Sequence, residues 1–166
     1  MRRRNDERAA EHRPGDRRQA AHRGDRAAHR PARPAARAAR ADRRQGSCER
    51  GVCGACTTLV DGVPTASCSM FAFSADGSSV ETVAGQSTDG APGPVQRAFA
   101  ECGGFQCGYC TPGMIMLTTA LLREHPEPDD AQVREWISSN ICRCTGYQMI
   151  IDSVHRAAAL LKEESA

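Results

Sequence analysis

The sequence predicts an α+β chain whose strands and helices lie in separate stretches. Three observations carry that expectation. Short runs rich in Thr and Val, broken by Asp-Gly dipeptides, lie between residues 57 and 83. Apolar residues at helical spacing follow from residue 95 to residue 162. Eight of the nine cysteines fall into two sets of four, one set in each stretch.

The elements follow in order. Thr57 to Val60 and Pro64 to Ser67 read as strands joined at Asp61-Gly62, a hairpin signal. A third strand is expected near Ser79 to Val83, after the turn Ala75-Asp76-Gly77. Residues 46–84 form this first part, and 85–93, rich in Gly, Ser, Pro and Asp, read as a linker. Residues 94–163 read as four helices. Val95–Glu101 is the first. Pro112–Glu124 carries Met114, Leu117 and Leu121 on one face. Asp129–Ser138 begins at an acidic cap. Tyr147–Lys162 places Ile150, Ile151, Val154, Ala158 and Leu161 at helical spacing, as core-facing positions.

Composition sets bounds. With 166 residues and 4% aromatics, the chain makes one domain or two small ones with an aliphatic core, and a metal centre would help stabilise it. No stretch approaches the ~18 apolar residues of a membrane span. Arg2-Arg3-Arg4 is followed by no apolar segment, so neither a secretory nor a twin-arginine signal is read. The expectation is a cytoplasmic protein with no transmembrane segment. Charge divides the chain. Residues 1–45 hold 15 Arg and 6 acidic residues, +9, while the remainder holds 7 basic and 14 acidic residues, −7. The first 45 residues lack Val, Ile, Leu, Phe, Trp, Tyr and Cys. They cannot build a core and are expected to be a disordered tail, a basic arm, or a segment read out of frame.

The cysteines carry the chemistry. Cys48, Cys53, Cys56 and Cys68 read C-x4-C-x2-C-x11-C, the spacing of a plant-type [2Fe-2S] site. Cys107, Cys110, Cys142 and Cys144 read C-x2-C-x31-C-x-C. Gly51 and Gly54 allow the first loop to curl and bring N–H groups toward sulfur. In the second set, Cys110 and Cys144 are each followed by Thr at the start of a helix. Thr111 and Thr145 are candidate N-caps, so two positive helix ends would face one anionic cluster. A disulfide scaffold suits C-x-C and C-x2-C pairs poorly. Zinc also takes four thiolates and stays open as an alternative. Cys102 reads as a free thiol outside both sets, and no histidine has ligand spacing.

G-x-C-G-A-C-T, Q-C-G-Y-C-T-P-G-M and C-R-C-T-G-Y resemble the small iron–sulfur subunits of the molybdenum hydroxylases, the family of xanthine dehydrogenase, aldehyde oxidoreductase and aerobic carbon monoxide dehydrogenase. The resemblance covers residues 46–160. It implies a ferredoxin-like β-grasp domain followed by a four-helix domain, each with one [2Fe-2S] cluster. Cys48, Cys53, Cys56 and Cys68 would hold the first cluster, and Cys107, Cys110, Cys142 and Cys144 the second. Gln106 and Cys144 would approach the molybdopterin of a large partner subunit. Electrons would pass from that site through both clusters to FAD in another subunit, or to another acceptor. Nothing suggests nucleic acid as a partner. A free-standing ferredoxin-like carrier is the main alternative, and a zinc-stabilised binding module the other.

The departure lies before Cys48. The family begins with a strand pair and a helix ending in a stretch like L-T-G-A-K, and residues 1–45 supply neither. Joining the last two bases of each codon to the first base of the next, from Arg33 to Gly46, permits D-L-L-R-E-x-L-G-L-T-G-A-K-E. The string is amphipathic, then turns, as the family does. A single-base frameshift just before Cys48 is therefore expected.

Overall fold

The structure, a computed structural model, describes residues 46–165; the expectations for residues 1–45 lie outside them. Strands β1 (Thr57–Val60) and β2 (Val63–Ala66) pair antiparallel, with Thr57 opposite Ala66 and Val60 opposite Val63. Asp61 and Gly62 close the hairpin at φ 51° and 83°, the left-handed geometry that matches strand twist. Strand β3 (Val80–Glu81) pairs with the other edge of β1, giving the order β2-β1-β3. This strand is shorter than expected. Val83–Gln86 forms a 3-10 turn instead, with the Gly85 N–H donating to Thr82 O at 2.9 Å. The Val83 carbonyl is taken by the Gln96 side-chain amide at 3.0 Å, so it is diverted from a ladder. Likewise Ser67, expected to end a strand, starts the 3-10 turn Ser67–Ser69.

Four helices follow: α1 (Pro94–Glu101), α2 (Thr111–Glu124), α3 (Asp130–Ile137) and α4 (Gln148–Ser165). Each boundary has a local cause. Pro94 opens α1, where its missing N–H costs nothing. Gly103 at φ 65° ends it, with the Gly104 N–H returning to Phe99 O at 2.9 Å. Asp129 caps α3 by accepting from the Gln132 N–H at 2.8 Å, while Gln132 Oε1 accepts from the Asp129 N–H at 3.0 Å.

Helix α2 is central. Every residue from Gly113 to Leu122 is buried. Met116 and Ala120 pack on Leu59 of β1. Met114, Ile115, Leu121 and Leu122 join Phe99 of α1, Val133 and Ile137 of α3, and Ile150 and Val154 of α4 in the helical core. Sequence periodicity gave α2 one apolar face because it counts side chains against a single neighbour. A helix held between a sheet and other helices buries its whole circumference. The Arg123 guanidinium adds a two-pronged ion pair to Glu81 of β3, at 2.7 and 2.8 Å. No helix among the described residues is long and apolar enough to cross a membrane.

Candidate metal centres

The first thiol set is built by a curled loop and a hairpin. Glu49, Gly51 and Gly54 take φ values of 54°, 72° and 69°. The curl aims backbone N–H groups at sulfur: Gly51 donates to Cys68 Sγ at 3.2 Å, and Val52 and Cys53 donate to Cys48 Sγ at 3.3 and 3.4 Å. Backbone N–H groups of Arg50, Cys53 and Val52 hold the Cys48 thiol down to about 6, stabilising its thiolate. The hairpin register supplies the fourth thiol. Pairing Thr57 with Ala66 returns the chain so that Ser67 N–H and Oγ both reach Cys56 O, at 3.4 and 2.9 Å. Cys68 then stands beside Cys56. Burial raises the Cys56 thiol, and Cys68 modulates it from hydrogen-bonding distance.

The second set joins the loops before α2 and α4. Cys107 and Cys144 Sγ lie 3.6 Å apart. The Cys107 thiol is lowered by the Tyr109 N–H and then by Cys144, while Cys144 is raised by its hydrogen bond to Cys107. Cys110 and Cys142 form the other pair. Burial, followed by the neighbouring Cys142 thiol, pushes Cys110 up to about 12. Burial also works to raise Cys142, but hydrogen bonds from the Thr145 hydroxyl and from the N–H groups of Thr145 and Cys144 outweigh it, and the thiol is lowered. The Cys142 Sγ to Thr145 Oγ1 distance is 3.2 Å.

The expected caps differ in detail. Cys110 itself occupies the N-cap of α2, without a side-chain cap bond, and Thr111 is the first helical residue. The Thr111 hydroxyl is buried without a hydrogen-bond partner. Thr145 Oγ1 accepts from the Tyr147 N–H at 3.1 Å, fixing the turn before α4 rather than the helix itself. Gln106 is exposed beside exposed Cys107. Phe105, Tyr109, Ile141 and Met149 are exposed large apolar residues in or next to these same segments. Cys102 lies apart, with Sγ 3.8 Å from Asp152 O. Sequence reasoning missed Asn140 and passed over Tyr147 as one letter of a motif. The Tyr147 hydroxyl accepts from the Cys142 N–H at 2.9 Å and donates to Asn140 O at 3.3 Å.

The donor sets fit a two-iron centre. Each iron of a [2Fe-2S] cluster takes two thiolates, and the thiols here stand in pairs. Four ligands about one zinc would have to converge on a point. When bound, such a cluster supplies one-electron redox chemistry.

A small sheet with a cysteine loop, keyed by one helix to a bundle bearing a second thiol set, defines an iron–sulfur protein of the electron-transfer class. Residues 80–155 match the [2Fe-2S] binding domain family. The chain is 46% identical over 110 residues to the nicotinate dehydrogenase small FeS subunit of Eubacterium barkeri, covering 66% of this chain and 70% of that one. It is 47% identical over 114 residues to the xanthine dehydrogenase iron-sulfur-binding subunit of Escherichia coli O157:H7, covering 67% and 70%. Quinoline 2-oxidoreductase from Pseudomonas putida 86 superposes with a TM-score of 0.68 at 41% identity, over 73% of this chain and 76% of that one. The chain belongs to the family of small iron–sulfur subunits of xanthine dehydrogenase-type molybdenum hydroxylases.

Proposed function

We propose that this chain carries electrons through two [2Fe-2S] clusters, from a molybdopterin site in a large partner subunit to FAD in another subunit, or to another acceptor. Cys48, Cys53, Cys56 and Cys68 hold one cluster in this reading, and Cys107, Cys110, Cys142 and Cys144 the other. The observation that carries it is the presence of two thiol sets, each in pairs, on segments keyed together by α2. The chain itself supplies thiolates, N–H groups that stabilise negative charge on sulfur, and a fixed separation between the two sets. Bond-making on substrate belongs to the partner.

Gln106 and Cys144 face the molybdopterin in this proposal. Supporting it, Cys107 and Cys144 reach the surface among Phe105, Tyr109, Ile141 and Met149, an apolar margin suited to a lasting subunit contact. That margin favours a complex over a free-standing carrier. The substrate stays open, because relatives of nearly equal identity are named for nicotinate and for xanthine. In this reading the first part belongs to a β-grasp domain, and the protein works in the cytoplasm.

Iron and sulfide analysis of the isolated complex tests the core of this reading. About four of each per chain and two distinct paramagnetic signals on reduction are expected. Colourless protein with stoichiometric zinc, or a single cluster, overturns it. Recovery as a solitary monomer with both clusters intact favours the free carrier.

A further inference from the structure

The second cysteine set repeats one local pattern. Cys110-Thr111 leads into α2 and Cys144-Thr145 leads into α4. In the later copy the hydroxyl has a visible task. Thr145 Oγ1 accepts from the Tyr147 N–H at 3.1 Å and lies 3.2 Å from Cys142 Sγ. A cysteine bound to iron is a thiolate and has no proton to give. The hydrogen in that contact then belongs to Thr145 and is aimed at the Cys142 sulfur.

In the earlier copy the hydroxyl is stranded. Thr111 Oγ1 is buried, and among the described residues it has no hydrogen-bond partner. The helix fixes the side it faces. Thr111 and Gly113 stand about 200° apart around the axis of α2. Gly113 lies against the first cysteine loop, where a Cβ would fall 2.1 Å from Gly54 O. Thr111 is thus turned away from that loop. It shares a face with Met114 and Ile115, three and four residues on. Both lie in the helical core, with Cys142 buried among them and Cys110 and Tyr147 packed against it. Cα–Cβ bonds in a helix tilt toward its N-terminus, so the Thr111 side chain leans back toward Cys110. A buried hydroxyl without a partner is costly, and native proteins carry few of them.

We propose that the Thr111 hydroxyl donates a hydrogen bond to a bridging sulfide of the cluster held by Cys107, Cys110, Cys142 and Cys144, and so raises that cluster's potential. This rests on the two-cluster reading above. No thiol sulfur of the set lies within hydrogen-bonding reach of Thr111 Oγ1, whereas a [2Fe-2S] core also presents sulfides, and hydrogen bonds to cluster sulfur set its potential. The step involved adds one electron, supplied by the molybdopterin site in that reading. One iron passes from ferric to ferrous, the sulfurs become more negative, and the hydroxyl keeps its proton. A donor on sulfide holds the reduced form more strongly than the oxidised one. Thr111 is therefore a positioning residue for charge, matched by Thr145 on the other helix.

The test uses the assembled complex. Thr111→Val deletes the hydroxyl at nearly constant shape, and Thr111→Ser keeps it. Redox titration followed by paramagnetic resonance reads each cluster's midpoint potential, alongside iron content. Thr111→Val is expected to lower the potential of the second cluster, leave the first in place, and shift the sharing of one electron severalfold toward the first. Thr111→Ser should restore most of the difference. An unshifted second cluster at full iron content overturns the proposal, as does an equal fall in both clusters. A buried water as the true partner of Thr111 gives the first of these results. Should Thr111→Val lose the second cluster, the unaltered complex decides. Its sulfide-bridging vibrations, read by resonance Raman, should shift on exchange into heavy water, and their failure to shift overturns the bond. Failure of the two-cluster reading looks different, since the unaltered complex would then show a single cluster signal.

Discussion

Glycines show how much a single atom decides here. Gly113 lies three residues after Cys110, and an added methyl would press on the backbone oxygen of Gly54 rather than on a side chain that could swing away. Gly113→Ala is therefore expected to destabilise the protein by about 1–3 kcal/mol, the range for overpacking, and to broaden the signal of the first cluster. Thermal unfolding and paramagnetic spectra of the variant check both; an unshifted melting curve would show that α2 simply slides. Among the cysteines, Cys110→Ser should remove the second cluster's signal before the first, whereas Cys102→Ser should leave both, because the Cys102 thiol is turned to the Asp152 carbonyl of α4. Iron content and spectra of the two variants decide it. The spacing of the eight thiols singled them out in the sequence, and the structure brings Cys107 and Cys144 to within 3.6 Å of each other. Asn140 was not legible there, because its role depends on Thr57, 83 residues away, and on its own backbone N–H and C=O. Nothing in local pattern encodes such a contact. Tyr147 escaped for the same reason, since its hydroxyl serves backbone groups rather than a metal.

At the scale of elements, α2 ties the sheet to the helices. Removing part of its buried side should cost more than any surface change. Leu121→Ala is expected to cost about 2–5 kcal/mol, as for a fully buried leucine, measured by denaturant unfolding of the cluster-loaded protein. The Arg123–Glu81 pair fastens the same helix to β3 from the surface. Its hydrogen bond from Arg123 holds the Glu81 carboxyl below the usual carboxylate range. The folded protein then takes up that proton at lower pH than the unfolded chain does. The pair's stabilisation is complete above the ordinary carboxylate pKa and fades as pH falls through the depressed folded value. Glu81→Gln should cost about 0.5 kcal/mol near neutrality, given how much solvent screens the pair. The difference from the parent protein should shrink with salt and vanish in acid, which unfolding across pH and salt would reveal. Helix positions were read from the sequence to within a few residues, because Pro94, Gly103 and Asp129 are local signals. The end of β3 was not, because the Gln96 side chain claims the Val83 carbonyl from a different element. The caps at Thr111 and Thr145 were misplaced because the cysteine loops continue into the first turn, putting Cys110 itself at the N-cap.

At the scale of the molecule, the first part carries large apolar side chains at its surface. Among the described residues, Val52, Val63, Phe71 and Phe73 are exposed, and the two phenylalanine rings stack on each other at 5.3 Å. Such rings in water cost stability and invite association. The charge division points the same way: the described part is acidic, whereas the preceding 45 residues carry +9 and no aliphatic side chain larger than alanine apart from Met1. They offer no leucine or valine to cover those rings. The string D-L-L-R-E-x-L-G-L-T-G-A-K-E from the shifted frame offers four leucines within eight positions and leads into the Cys48 loop. Mass spectrometry of the protein from its own host is therefore expected to find peptides of that string upstream of Cys48, and resequencing the DNA should find a base gained or lost just before that codon. Protein made from the corrected reading should hold the first cluster longer in air than protein made from the sequence as written, since a restored strand pair and helix would brace its loop. Recovery of the Arg-Ala peptides as written, from protein holding both clusters, would refute this. Among the described residues, Asn140 and Gly113 approach the first loop at Gly54, and their replacement should then empty the first site while leaving the second filled.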